Sequence, residues 1–374
     1  MTAATRRRVL GAAGAGLVLA ALSACASAPR VPVFSRPYSR RPLVAPRVSM
    51  DNVIRVVVGH RPYRPSGFVV GTEVFDDKRV VHNYGHGGAG ITLSWGSSAL
   101  AVREVAGLRP GAAAVVGSGV MGLTTARLLQ DAGWSVTIYT RDPFRHTVSS
   151  VAGGEWGPYS VHDPKVSSDA FKARLGYAAG IAHHAFTSLG PGYGVRWMEL
   201  YRLSERPFGA AADEDFADLY PYTVDLGPGQ HPFPVPYVRA SLTMLVEPGV
   251  FLRELTADFQ RAGGRVVIRD FADRGQVLAL PEPVIFNCTG LGAAVLFGDA
   301  ELTPARGQLV LLPPDPDVDY LTIGGGSDSL YMFSRSDVLL LGGTYGLGDY
   351  STAPDPAQTE RIVREHQRLF GGFG

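Results

Sequence analysis

At 374 residues, 45% of them apolar, the chain is long enough for two modest cores, which puts it among ordinary globular enzymes. Its 35 basic and 34 acidic residues leave a net charge of +1, so nothing electrostatic points to nucleic acid or an anionic membrane surface, and a small molecule is the expected partner. The two cysteines, Cys25 and Cys288, sit in unrelated contexts that give no disulfide framework, and Cys/His spacing of the zinc type is absent, so no metal is expected.

The chain opens with Thr5-Arg6-Arg7-Arg8-Val9-Leu10, the pattern of a twin-arginine export signal, followed by an uncharged stretch over residues 9–24. A bilayer span needs about 20 continuous apolar residues. This stretch is shorter and is broken by Gly11, Gly14 and Gly16. Leu22-Ser23-Ala24-Cys25 has the form of a bacterial lipobox, whose cysteine becomes the lipidated first residue; the competing reading is a plain cleaved signal with an incidental cysteine. The expectation is export by the twin-arginine route and lipid anchoring outside the cytoplasm, with residues 1–25 as signal. Residues 26–49, rich in Pro and Arg and poor in apolar pattern, read as a semi-extended tether.

Residues 112–116 form a short run of small apolar residues suited to a buried strand, and it feeds into Gly117-Ser118-Gly119-Val120-Met121-Gly122. In this GxGxxG pattern the first glycine makes the turn, the second lets backbone approach a pyrophosphate, and the third lets helix and strand pack closely. A helix follows, with Leu123, Ala126, Leu128 and Leu129 on its apolar side and Ala132-Gly133 ending it, so its N-terminus presents free N–H groups to phosphate. Residues 135–140 alternate as a second strand and complete a βαβ opening. Arg141 and Asp142 lie where a ribose-binding residue belongs, about 20 residues after the last glycine. The motif by itself does not separate NAD from FAD. A later strand, residues 283–288, ends in Thr289-Gly290, a small polar loop of the kind that closes over the cofactor in flavoproteins.

Taken together, several segments resemble the D-amino acid oxidase family of FAD enzymes over most of residues 50–374. Ser149-Ser150-Val151-Ala152-Gly153-Gly154-Glu155-Trp156-Gly157-Pro158-Tyr159 is similar to the family segment beneath the isoalloxazine. Asn287-Cys288-Thr289-Gly290-Leu291-Gly292, Pro304-Ala305-Arg306-Gly307-Gln308 and Gly342-Gly343-Thr344-Tyr345-Gly346-Leu347-Gly348-Asp349-Tyr350 match three further signatures. The most specific piece is His82-Asn83-Tyr84-Gly85-His86-Gly87-Gly88-Ala89-Gly90-Ile91-Thr92, preceded by Gly59-His60-Arg61-Pro62-Tyr63-Arg64-Pro65. In the family these last two segments close the chain, whereas here they precede the nucleotide-binding strand. The order therefore reads as a circular permutation, with the old termini joined through Ala106-Gly107-Leu108-Arg109-Pro110 and the new start near Met50.

The resemblance implies an α/β fold, a Rossmann-type FAD-binding domain (residues 80–194 and 246–300) with a mixed-sheet substrate domain (50–79, 195–245 and 301–350) and a helix at 351–374 returning to the FAD domain. It also implies a strand over residues 53–58 in the substrate sheet beside Tyr331 and Tyr345, and a helix over 93–106. FAD, bound non-covalently, is expected against Gly117, Gly119, Val120, Met121, Gly122, Arg141, Asp142, Ser149, Ser150, Gly153, Gly154, Thr289 and Gly290, with Gly87, Gly90, Ile91 and Thr92 facing the flavin pyrimidine.

The implied reaction is oxidative deamination of a D-amino acid by hydride transfer from Cα to flavin N5, giving the imino acid, then 2-oxo acid and ammonia, with O2 reduced to H2O2. Orientation carries such a step, and a guanidinium clamps a carboxylate best. By the resemblance Arg61 is that clamp, Tyr331 and Tyr345 close the pocket, and the Gly88 carbonyl accepts from the substrate amine. Arg64 is better explained as salt-bridged. His82 and His86 belong to the scaffold, and His183-His184 lie in a helix without acids at ligand spacing. Tyr345 stands where D-aspartate-specific relatives carry arginine, which favours a neutral side chain; Glu155 departs from an apolar family position. Competing readings are a glycine or sarcosine oxidase, a D-amino acid dehydrogenase passing electrons to a membrane acceptor, and an inactive flavin-holding binding lipoprotein.

Overall fold

A computed structural model of the protein describes residues 42–209, 214–326 and 330–373. The expected export signal, Cys25 and most of the tether lie outside the described residues. The last stretch of that tether is not free: Pro46 is buried, Val44 O accepts from Tyr320 Oη at 2.8 Å, Arg47 Nε reaches Asp315 at 3.3 Å, and Val48 O accepts from Gln367 Nε2 at 3.1 Å.

In chain order the elements begin with β1 (Arg55–Tyr63), β2 (Val69–Phe75), β3 (Lys78–Tyr84) and α1 (Gly90–Arg103), all ahead of the nucleotide-binding motif. Next come β4 (Ala112–Val116), α2 (Val120–Asp131), β5 (Ser135–Thr140), α3 (Asp169–Leu189), β6 (Val195–Ser204), β7 (Thr223–Leu226) and β8 (Tyr237–Val246). Then follow α4 (Pro248–Arg261), β9 (Arg265–Ile268), α5 (Arg274–Leu278), β10 (Val284–Asn287), α6 (Gly292–Phe297) and β11 (Thr303–Leu312). The chain closes with β12 (Tyr320–Gly324), β13 (Tyr331–Ser334), β14 (Leu339–Gly342), β15 (Gly346–Leu347) and α7 (Pro356–Phe370).

One sheet has the order β2-β3-β10-β4-β5-β9, parallel except at β2, which runs antiparallel to β3. Four of the five residues of β4 are buried, as a central parallel strand covered on both faces requires. On one face Ala113, Val115, Ile138 and Phe286 meet Leu123, Ala126 and Leu129 of α2 and Phe251, Leu255 and Phe259 of α4. On the other, Ala114, Val116 and Ile285 meet Phe271, Val277 and Leu296. The second sheet has the order β1-β11-β14-β13-β12-β6-β8-β7, with β15 added to β11. Capping fixes the flanking helices: Ser168 accepts from Phe171 N at the start of α3, and Asp355 accepts from Ala357 N and Gln358 N at the start of α7.

The expected strand before residue 60 is β1, antiparallel to β11 from Arg55↔Leu311 to Tyr63↔Thr303, in the sheet that holds Tyr331. The expected helix is α1, three residues earlier than read because the Gly87–Ala89 turn runs straight into it. Two boundaries are corrected. β2 lies in the six-stranded sheet rather than with β1, because its whole length pairs with β3 across the tight turn at Asp76-Asp77. Instead of returning to the nucleotide-binding layer, α7 packs on β11 and β14, where its buried Ile362, Val363, His366 and Leu369 face the large sheet.

Candidate active site

The parallel strands β4, β5 and β10 end at one edge of their sheet, the place where open α/β sheets bind ligands. A cavity of about 1500 Å3 starts there and runs to β1, β11 and β13 of the other sheet. The turn after β4 is held by Gly117 N donating to Tyr139 O at 2.8 Å, with Gly117 at φ +108°. Gly119 gives α2 no side-chain cap, and Ser149 Oγ takes the Val120 N–H at 3.1 Å, so the next N–H groups of the helix face a ligand.

The expected cofactor residues Gly117, Gly119, Val120, Met121, Arg141, Asp142, Ser149, Gly153, Gly154, Thr289, Gly290, Gly87, Gly90 and Ile91 all line this cavity, as do Arg61, Gly88, Tyr331 and Tyr345. Three others stand behind it. A Cβ at Gly122 would fall 1.9 Å from Gly117 O, so this glycine serves the packing of α2 on the turn. The Ser150 hydroxyl donates to Arg145 O and Thr147 O, and Thr92 is buried, its hydroxyl accepting from Gly157 N at 3.2 Å. Asp142 is anchored through its carbonyl, which accepts from Ser118 Oγ and Thr140 Oγ1, while its carboxylate pairs with Arg141 Nε at 2.7 Å. Sequence reasoning missed Arg269-Asp270-Phe271-Ala272, which lines the cavity just after β9; only the third parallel strand of the unit signals it.

At the far end, Arg61 Nη2 donates to Tyr331 Oη at 3.3 Å, and among the described residues no carboxylate pairs with Arg61. Gly307 on β11, paired with Gly59, leaves the guanidinium its room: a Cβ there would fall 2.6 Å from Arg61 Nη1. Arg64, three residues on, has the opposite fate, with its Nε on Asp299 at 2.7 Å and Nη2 on Glu301 at 3.3 Å. Tyr331 stacks on Phe333 with ring centroids 4.8 Å apart. Burial raises the Tyr345 phenol above its ordinary value, against a lowering by nearby Arg61. His82 and His86 are buried scaffold: Asn287 Nδ2 meets His82 Nδ1 at 3.0 Å, and His86 Nε2 meets Ser97 Oγ at 2.8 Å. Burial lowers the His86 pKa to about 3.

Glu155 is buried in the cavity wall. Tyr159 Oη donates to its Oε2, while its Oε1 has no hydrogen-bond partner among the described residues. Burial pushes its carboxyl up to about 7, opposed by the Tyr159 hydrogen bond and the charge of Arg202.

A phosphate-facing helix N-terminus at one end, a polar strand edge with Asp142, and the Thr289-Gly290 loop in one long cavity fit an extended dinucleotide such as FAD. The family described as FAD dependent oxidoreductase (DAO) matches residues 112–374. A D-amino-acid oxidase of Streptomyces coelicolor is 33% identical over 264 residues, 68% of this chain and 77% of the relative. Another from Rubrobacter xylanophilus is 30% identical over 263 residues, 69% and 76%. In fold, the chain is similar to glycine oxidase from Geobacillus kaustophilus, with a TM-score of 0.53 at 17% identity over 70% of this chain and 78% of that one. This chain belongs to the FAD dependent oxidoreductase family and is an enzyme that uses FAD.

Proposed function

We propose that the enzyme oxidatively deaminates a D-amino acid: D-amino acid, O2 and water give the 2-oxo acid, ammonium and H2O2. The observation that carries this reading is Arg61, a cavity-lining guanidinium without a carboxylate partner among the described residues, hydrogen-bonded to Tyr331 and close to Tyr345. Its fork is suited to a substrate α-carboxylate, which then fixes Cα relative to the rest of the cavity. Tyr331 orients the fork, and the Gly88 carbonyl is the proposed acceptor for the amine. Bound FAD supplies the two-electron acceptor for the Cα–H bond. The D configuration rests on relatives that are D-amino-acid oxidases, those of Streptomyces coelicolor and Rubrobacter xylanophilus among them.

The roles of Arg61 and Gly88 rest further on reading the chain as a circular permutation of the family order. The family match begins at residue 112, on β4, yet β1 and β3 before it are hydrogen-bonded into both sheets and α1 packs on α2. Export and a lipid at Cys25 are proposed on the Arg6-Arg7-Arg8 and Leu22–Cys25 patterns; mass spectrometry of the mature N-terminus, with acylated Cys25 expected, tests them.

The test is an anaerobic screen of the purified holoenzyme with both enantiomers of the common amino acids. Loss of oxidised-flavin absorbance is expected with D-enantiomers only, with peroxide formed once air is admitted. Reduction by L-enantiomers or glycine alone, or by none, overturns the reading; reduction without peroxide moves it to a dehydrogenase.

A further inference from the structure

Resting on that reading, we infer that Glu155 is a specificity-determining residue that favours D-amino acids with a cationic side chain, because it lines the cavity with one buried carboxylate oxygen unpartnered. The segment that carries it is rigidly placed. Gly154 O accepts from Val246 N at 2.7 Å, Trp156 N donates to Met244 O at 2.8 Å, and Gly157 N donates to Thr92 Oγ1 at 3.2 Å. Gly153, two residues before Glu155, lies against Phe333 and Tyr331, the Arg61 partner; Gly87 and Gly88 lie against Ser160, just beyond Tyr159. The segment that carries Glu155 thus runs from the Arg61 partner Tyr331 towards the turn before α1, and Glu155 lines the same cavity.

The groups that act on Glu155 are Tyr159 from its own segment and Arg202 of β6, and Tyr220 lies near Tyr159. Arg202 sits over the Tyr159 and Tyr220 rings, 5.6 and 5.8 Å from their centroids, and so lies against the phenols. Tyr159 satisfies one oxygen of Glu155. The other retains an acceptor that none of the described residues uses, and a buried polar atom left in that state is costly. A side-chain ammonium or guanidinium brings N–H donors and a compensating charge to it. An alkyl side chain of the same length leaves the oxygen unpaired, and a carboxylate is repelled, so discrimination runs in favour of the cation. This replaces the neutral preference expected from Tyr345.

D-lysine and D-norleucine differ at the distal ammonium and serve as the probe pair. In the wild-type holoenzyme kcat/KM for D-lysine is expected to exceed that for D-norleucine by tenfold or more. In Glu155→Leu the ratio should fall to one or below, and in Glu155→Gln it should fall to an intermediate value. A binding readout without turnover accompanies this: 6-aminohexanoate should perturb the flavin spectrum at lower concentration than hexanoate in the wild type, and lose that advantage in Glu155→Leu. A wild-type ratio of one or less, or a preference for D-lysine that survives Glu155→Leu, overturns the inference while leaving D-amino acid oxidation standing. If no D-amino acid reduces the flavin, the broader reading falls and this one with it.

Discussion

Arg61 has Tyr331 as its hydrogen-bond partner and, among the described residues, no carboxylate. Its place at the end of β1 is set by the register Arg61↔Ala305, and Gly307 next to it on β11 leaves space for the guanidinium. Arg61→Ala is expected to retain FAD and lose about 3–6 kcal/mol of transition-state stabilisation, roughly 10²- to 10⁴-fold in kcat/KM, because two charge-assisted hydrogen bonds to the substrate carboxylate go. Arg61→Lys restores little, being a point charge without the fork. Near-normal kcat/KM in the alanine variant would remove Arg61 from the site. A second prediction concerns pH. Burial raises the Glu155 carboxyl to about 7, so between its ordinary value near 4.5 and 7 the folded state binds a proton that the unfolded state does not, and its contribution to stability falls as pH rises. His86 and His366, lowered to about 3 and 4, act in the opposite direction: their contribution is complete above about 6.5 and is lost as pH falls. From pH 7 down to pH 4.5 the Tm should therefore fall more steeply in Glu155→Gln than in the wild type. Parallel slopes would mean that Glu155 keeps an ordinary pKa.

Between elements, one buried contact that joins β3, α1 and α2 is polar. Asn83 Nδ2 on β3 donates to Ser98 Oγ of α1 at 3.1 Å and to Thr125 Oγ1 of α2 at 3.0 Å, and Ser98 meets Thr124 at 2.8 Å, all buried. Asn83→Ala strands these hydroxyls and should cost about 1–3 kcal/mol. It is read as a Tm lower by several degrees and earlier flavin release on heating; an unchanged Tm would show that the hydroxyls satisfy one another. Much at this scale was legible in the sequence. β4, the glycine turn, α2 and β5 were, because small residues, glycine spacing and strand alternation are local signals. The place of Arg61 on the cavity wall was legible through a motif rather than through its neighbours, and its role as clamp remains a proposal. β2 and α7 were assigned to the wrong layers because pairing partners and packing faces are long-range: β2 follows its hairpin mate, and α7 follows the apolar stripe that happens to match the large sheet. Glu155 was visible only as an odd residue; that one of its oxygens is unpartnered needed the Tyr159 contact.

The whole molecule depends on residues 55–103 being built into the layers that the family match supplies. β1 shares nine paired residues with β11, β3 lies between β2 and β10, and α1 packs on α2 and α3. The only covalent link to β4 is an exposed stretch, residues 106–111, with Gly107 and Gly111 free of close neighbours. That link has no side-chain role in the cavity; it raises the effective concentration of one part for the other, and cutting it removes only this entropic advantage. The noncovalent interface left behind is two strand pairings and a helix face, far more than a flexible connection supplies. A protease site replacing Leu108-Arg109-Pro110 should thus yield, on cleavage, two bands in a denaturing gel that still co-elute as one yellow species and still reduce their flavin with the preferred substrate. If the fragment bearing Arg61 separates, or if it separates and the remainder turns over at the original rate, then β1 and α1 are appendages, and the clamp must come from elsewhere in the chain.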